Sequence, residues 1–204
     1  MSLFNLYALT DEELTVNLRG ALGEPVRAVA TGRLFALAGA VDEAPALTPD
    51  SLRAHEAAVR RLADACAALL PVRFGAAVES VDLESREAEL LEALALVRGR
   101  EQMTLRVYGQ RTEPERSSGT AYLESVRRAR ALPEIDALRS ALAGLMRAER
   151  TEVHGGSVVA SVYHLVDRGR APEYLRIVHG ASLTVRVAPS GPWPAWSFAP
   201  EAVR

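Results

Sequence analysis

Four histidines, one serine behind a glycine pair and a few adjacent carboxylates are the residues of this chain whose types suggest chemistry. His55-Glu56 begins like the helical zinc-protease motif. That motif needs a second histidine one turn on, so that both imidazoles reach the metal from one face. The position is Val59, and no metal site is expected. His154, His164 and His179 stand at no metal-ligand spacing, although a hairpin would let His154 and His164 approach across strands. Ser157 follows Gly155-Gly156, but a nucleophile elbow has glycines two positions either side of its serine, and Val159 takes the second place. Glu12-Glu13 and Asp42-Glu43 read as solvated surface. All 24 basic residues are arginine, so there is no Schiff-base lysine and no lysine for a phosphate loop. The single cysteine, Cys66, lies among Leu62, Leu69 and Leu70 and reads as a small buried apolar residue. The expectation is a chain with no catalytic residue, no cofactor and no metal.

Charge and composition narrow the partners. The net charge of −2 argues against nucleic acid and anionic membranes. Arg127, Arg128, Arg130, Arg139, Arg147 and Arg150 could form a docking face. Glu124, Glu134, Asp136 and Glu149 lie among them, so a solvated face is the plainer reading. No apolar run reaches the ~18 residues of a membrane span. Met1 to Tyr7 lacks the basic-then-apolar plan of a signal peptide, and a cytoplasmic protein is expected. The 204 residues are 49% hydrophobic but only 5% aromatic, which predicts a core of Leu, Val and Ala.

The elements that must position these residues follow from periodicity. Leu3 to Leu9, Val26 to Ala30 and Arg33 to Ala38 read as strands, the last two joined at Thr31-Gly32, with a loop over Gly39 to Leu47. Thr48-Pro49-Asp50-Ser51 predicts a capped helix start, and the helix should run to about Leu70 with Leu52, Val59, Leu62, Cys66 and Leu69 inward. Pro71 stops it. Val72 to Val78 reads as a strand broken by Gly75, and Leu83 to Val97 as a helix burying Leu83, Leu90, Leu91, Leu94 and Val97. Glu101 to Tyr108 alternates as a half-buried strand. A linker or long loop over Gly109 to Gly119, a helix from Thr120 to Ala131 and another from Glu134 to Arg147 follow. A hairpin across Gly155-Gly156, a helix near Pro172 to Val178 and a strand over Ser182 to Ala188 complete the series. From Glu101 the order β, α, β, β, α, β is that of the ferredoxin-like split βαβ unit. The fold class is therefore α+β with two α/β domains: residues 1–99, a mixed α/β domain, and residues 100–204, a modified ferredoxin-like domain with a Pro/Trp-rich extended tail.

Three further stretches have spacings that packing needs rather than chemistry. Leu70-Pro71-Val72-Arg73-Phe74-Gly75 is a helix-to-strand junction, with Arg73 on the opposite side of the strand from Val72 and Phe74. Ser118-Gly119-Thr120-Ala121-Tyr122-Leu123 sits mid-chain. Gly191-Pro192-Trp193-Pro194-Ala195-Trp196-Ser197-Phe198 should form a stiff extended strap, its aromatic groups packed back or held out for a partner.

Together with Tyr7 on the opening strand, Gly32-Arg33-Leu34 and the helix bearing His55-Glu56, these stretches resemble the GvpF/GvpL family of gas vesicle proteins over most of the chain. One departure is Ala195-Trp196, where the family usually has a proline and a tyrosine before Ser-Phe. The resemblance implies two α/β parts, the second a modified ferredoxin fold. It also implies a non-enzymatic accessory role in building gas vesicles, the gas-filled protein shells that give some prokaryotes buoyancy. The partners implied are the hydrophobic shell protein and other accessory proteins, bound during nucleation or to limit aggregation. Arg73, Phe74, Tyr122, Trp193, Trp196 and Phe198 are the candidate partner-contact residues. The competing reading is a small-molecule-binding regulatory module, supported by ferredoxin-like analogy alone.

Overall fold

The computed structural model describes residues 3–14, 18–109 and 131–201. The predicted loop over Gly109 to Gly119 falls outside these residues apart from Gly109, and so does the helix from Thr120 apart from Ala131; Tyr122 and Arg127, Arg128 and Arg130 lie outside with them. The chain divides into two compact units, Met1–Arg100 with Trp193–Arg204, and Glu101–Pro192.

In the first unit, strands β1 (Leu3–Thr10), β2 (Val26–Thr31), β3 (Leu34–Val41), β4 (Leu70–Pro71) and β5 (Ala77–Val78) form one antiparallel sheet. Its order is β2-β3-β1-β4, with β5 also on β1. The ladder between β1 and β3 slips between Leu6 and Ala8, a bulge centred on Tyr7. A bulge re-aims the side chain it carries, and here Tyr7, Ala8 and Leu9 are all buried in succession. The strand β3 extends to Val41, into the stretch expected to be loop.

Helix α1 (Pro49–Ala65) starts as its capping residues require: the Thr48 hydroxyl accepts the Ser51 N–H at 3.1 Å, with Pro49 in the first turn. It ends at Ala65, short of the expected Leu70. Leu70 and Pro71 are claimed by pairing with Leu9 and Ala8, and the Thr10 hydroxyl donates to the Ala68 carbonyl at 2.9 Å, so the chain must unwind early. Cys66 and Leu69 stay buried outside the helix, and Leu52 is exposed instead of inward. The helix lays Ala58, Val59 and Leu62 on Tyr7, Val26 and Leu37 of the sheet.

The expected strand over Val72 to Val78 forms only at its end, as β5; residues 72–76 are a turn between β4 and β5. Its Gly75, at φ +94, holds a left-handed conformation that other residues rarely adopt. A 3-10 turn (Glu84–Arg86) leads into α2 (Glu87–Val97), which buries Leu90, Leu94 and Val97, while Leu83 and Leu91 are half-buried. The Leu83 N–H donates to the Thr31 hydroxyl, and the Arg33 N–H to Glu87, fixing the start of α2 to the β2–β3 hairpin.

The second unit has strands β6 (Arg100–Tyr108), β7 (Met146–Val153), β8 (Val158–Asp167) and β9 (Arg186–Trp193) in the order β7-β8-β6-β9. Its helices are α3 (Asp136–Leu142), preceded by a 3-10 turn (Pro133–Ile135), and α4 (Ala171–Gly180). The helix expected to reach Arg147 stops at Leu142, because Met146 and Arg147 belong to β7. Leu138, Leu142, Tyr174 and Val178 pack on Met103, Leu105, Val107 and Val162. Gln102 and Thr104, expected on an open face of β6, are buried and hydrogen-bonded to each other at 3.2 Å. The final strand lies later than Ser182 to Ala188 and runs through Pro189 and Pro192. An edge strand tolerates the missing N–H groups, and β9 is at the sheet edge. Beyond it the strap is not extended throughout, since Trp196–Phe198 form a 3-10 turn.

Candidate functional site

The first unit gathers four rings from four distant segments. Tyr7 of β1 stacks on His55 of α1 at 5.1 Å between centroids. Phe74 of the turn meets the same imidazole edge-on at 5.5 Å, and Trp196 of the C-terminal turn lies tilted against it at 6.4 Å. His55 is 2% exposed and so is a core residue of the first unit. Its Nε2–H donates to the Val72 carbonyl at 2.9 Å. Burial pushes the imidazole below its ordinary range, and a neutral ring results.

Under this stack lies a polar knot. The Tyr7 hydroxyl accepts from Asn5 Nδ2 at 2.8 Å and from the Ala21 N–H at 2.7 Å, and donates to the Glu24 carboxylate. Glu24 also accepts the Leu22 N–H at 2.9 Å. Burial, and then the hydrogen bond to Glu24, pushes the Tyr7 phenol well above its ordinary range. Glu24 fills space that side chains at two other positions would need: a Cβ at Gly20 would stand 2.2 Å from its Oε1, and one at Gly39 2.4 Å from its Cγ. Sequence reasoning missed this knot. Isolated Gly20 and Gly39 were its only signal, and neither says what approaches them.

The second unit has its own polar chain. The Tyr174 hydroxyl donates to His164 Nδ1 at 2.7 Å, and His164 Nε2–H to Glu149 at 3.0 Å. Arg139 forks onto Glu149 from the other side at 2.9 Å. These partners, His164 first, hold the Glu149 carboxyl down at about 2. Tyr174 and His164 are fully buried at the inner end of the series, while Arg139 and Glu149 close it at the surface. His154 bonds Ser161 at 2.9 Å, and His164 lies opposite Glu149 in the register, so the two histidines do not pair with each other. Among the described residues, no three His, Cys, Asp or Glu side chains are grouped to hold a metal.

An open pocket of about 430 Å³ lies in the first unit, beside the Arg73–Ala76 turn. Leu6 and Leu9 of β1 line it together with Phe74, Val78, Val81 and Leu83, and Arg73 and Asp82 contribute its charged groups. Arg73 is exposed and Phe74 half-buried. Of the other sequence-predicted residues, Trp193 is half-buried with the Arg60 guanidinium 4.1 Å over its ring, Trp196 is half-buried on the core of α1, and Phe198 is 2% exposed. His55 thus joins Phe74 to Trp196, while Tyr122 lies outside the described residues.

These features define a protein of two α/β units, with two antiparallel sheets and four α-helices among the described residues. Residues 4–200 match the family described as gas vesicle synthesis protein GvpL/GvpF, and the chain belongs to that family. It is 31% identical to a gas vesicle protein L from Streptomyces sp. (strain CB03234), across 95% of this chain and 91% of the relative. The crystal structure of GvpF from Microcystis aeruginosa superposes with a TM-score of 0.75 at 16% identity, covering 97% of this chain and 99% of that one. GvpF from Anabaena sp. PCC7120 gives 0.73 at 16% identity, covering 98% and 99%. The chain is thus a gas vesicle accessory protein of a family not known for catalysis, and family membership implies association with gas vesicle components. None of the described helices is long and apolar enough to cross a membrane.

Proposed function

We propose that this protein is a non-enzymatic assembly factor, acting in the cytoplasm and at the growing vesicle. It binds the small, very hydrophobic shell protein and limits its aggregation until it joins the shell, with other accessory proteins as further partners. The observation that carries this reading is the open, largely apolar pocket beside Phe74, since a reversible helper needs accessible apolar surface that its own fold does not cover. Arg73 and Phe74 touch the partner in this reading, Trp193 and Trp196 extend the apolar surface, and Phe198 holds the tail from beneath. Tyr122 belongs to the same set through the mid-chain motif.

The second unit is read as a modified ferredoxin-like domain. In support, β8 lies between β6 and β7, which is what splits a βαβ crossover. Along the chain the boundary between the two domains is read near Gly99, residues 1–99 before it and 100–204 after it, although the segment from Trp193 clusters with the first unit.

The test is co-expression of the shell protein with and without this chain. The expected result is soluble shell protein that co-elutes with it, and reduced co-elution with Phe74→Asp. Shell protein that pellets equally in both cases, with none co-eluting, would sink the reading. If Trp193→Ala and Trp196→Ala leave binding unchanged in a folded protein, the tail is structural.

A further inference from the structure

The segment between β4 and β5 has hydrogen-bond donors to spare. Among the described residues, the N–H groups of Arg73, Phe74, Gly75 and Ala76 donate to no acceptor. The nearby carbonyls are largely used: Val72 takes His55, Gly75 takes the Ala77 N–H, and Ala76 takes the Leu6 N–H. The Arg73 guanidinium likewise forms no ion pair or hydrogen bond among the described residues. Arg53, Arg60, Arg86 and Arg98 of the same unit are each paired to a carboxylate. Among the described residues β4 and β5 pair only with β1, so the described sheet ends here too. An unpaired planar cation and a run of free N–H groups therefore stand beside an apolar hollow. Asp82 on the same pocket uses one oxygen on the Glu84 N–H at 3.1 Å.

We propose that this pocket captures an extended polypeptide segment in which a glutamate or aspartate adjoins an aliphatic residue. The aliphatic side chain enters between Leu6, Phe74, Val81 and Leu83. The carboxylate meets Arg73, whose fork matches it, and the turn N–H groups. The unpaired Arg73 selects the carboxylate at its own side of the pocket, away from the Asp82 carboxylate that holds the Glu84 N–H, and the excess of donors over free acceptors in the turn selects against a cationic segment there. The proposal builds on the partner-binding reading above and specifies the segment that reading leaves open, and the peptide arm of its test needs no shell protein.

The test is NMR titration of the isotope-labelled full chain with three terminally blocked peptides, Leu-Glu-Leu, Leu-Gln-Leu and Ser-Glu-Ser. Leu-Glu-Leu should shift the amide signals of residues 72–83, and Leu-Gln-Leu should bind there roughly 3-fold more weakly, as an exposed ion pair allows. Ser-Glu-Ser should leave those signals unmoved. Arg73→Gln, at an exposed side chain that the fold does not need, should make the first two peptides equal. Equal binding of both to the unaltered protein, shifts outside this segment, or no shift with any peptide would overturn the proposal. Shell protein that still co-elutes with Arg73→Gln at full yield would remove this site and leave the partner-binding reading standing. Shell protein that never co-elutes would remove that reading whatever the peptides do.

Discussion

Single side chains decide how the first unit answers to pH. Tyr7→Phe keeps the ring stacked on His55 but takes one hydroxyl from Asn5, Ala21 and Glu24 together. The expected loss is about 1–3 kcal/mol, because buried partners are left unsatisfied; a lowered urea midpoint at unchanged slope checks it. Tyr7 and Tyr174 both ionise above the ordinary range, through burial first and a neighbouring carboxylate second. Their contribution to stability is complete below the unfolded value of about 10 and is lost as pH rises beyond it. Their phenolate absorbance should therefore appear together with the loss of near-ultraviolet circular dichroism. Ionisation of both in a still-folded protein would contradict this. His55 acts in the opposite direction. With the folded imidazole pushed down, its stabilisation is present above the unfolded value of about 6.5 and falls away on acidification. His55→Gln should flatten the slope of urea midpoints between about pH 7 and pH 5. Glu149 in the second unit responds lower: its stabilisation is present above about 4.3 and is lost as pH falls through about 2, so the two windows separate.

At the scale of elements, β3 and the loop carrying Glu24 are fitted to each other. Gly39→Ala should be strongly destabilising, since the new Cβ meets Glu24 Cγ at 2.4 Å. Adding Glu24→Ala should recover part of that loss, and thermal melts of both single variants and the double measure this coupling. Additive losses would mean that the glycine serves something else. These elements also separate what was legible in the sequence from what was not. The start of α1 was readable because Thr48, Pro49 and Asp50 act on backbone groups within one turn. Its end was not, because pairing of Leu70 and Pro71 with a strand laid down far earlier overrides local helical periodicity. The run Arg73-Phe74-Gly75 was recognisable as a junction, but its pocket also needs Leu6 and Leu9 from β1, which nothing local connects to it. A histidine within a helix reads as polar until Tyr7, Phe74 and Trp196 are seen to converge on it. The strand expected over Ser182 to Ala188 runs on through Pro189 and Pro192, and its edge position among the described strands makes them acceptable.

At the scale of the whole molecule, the first unit is assembled from both ends of the described chain, since Trp193 onward belongs with residues that precede Glu101. Phe198→Ala should therefore weaken the first unit by about 3–5 kcal/mol, the usual cost of emptying a buried phenylalanine site. Hydrogen exchange should accelerate on β1 and α1 while the β7–β8 hairpin keeps its protection. Faster exchange confined to the hairpin would refute this. The shared membership also sets an order of events during synthesis. The ribosome delivers Leu3 to Arg100 first, yet these residues lack part of their own core until the segment around Trp196 and Phe198 has emerged. Glu101 to Pro192 is complete before that moment, so the part of the chain made first is the part finished last.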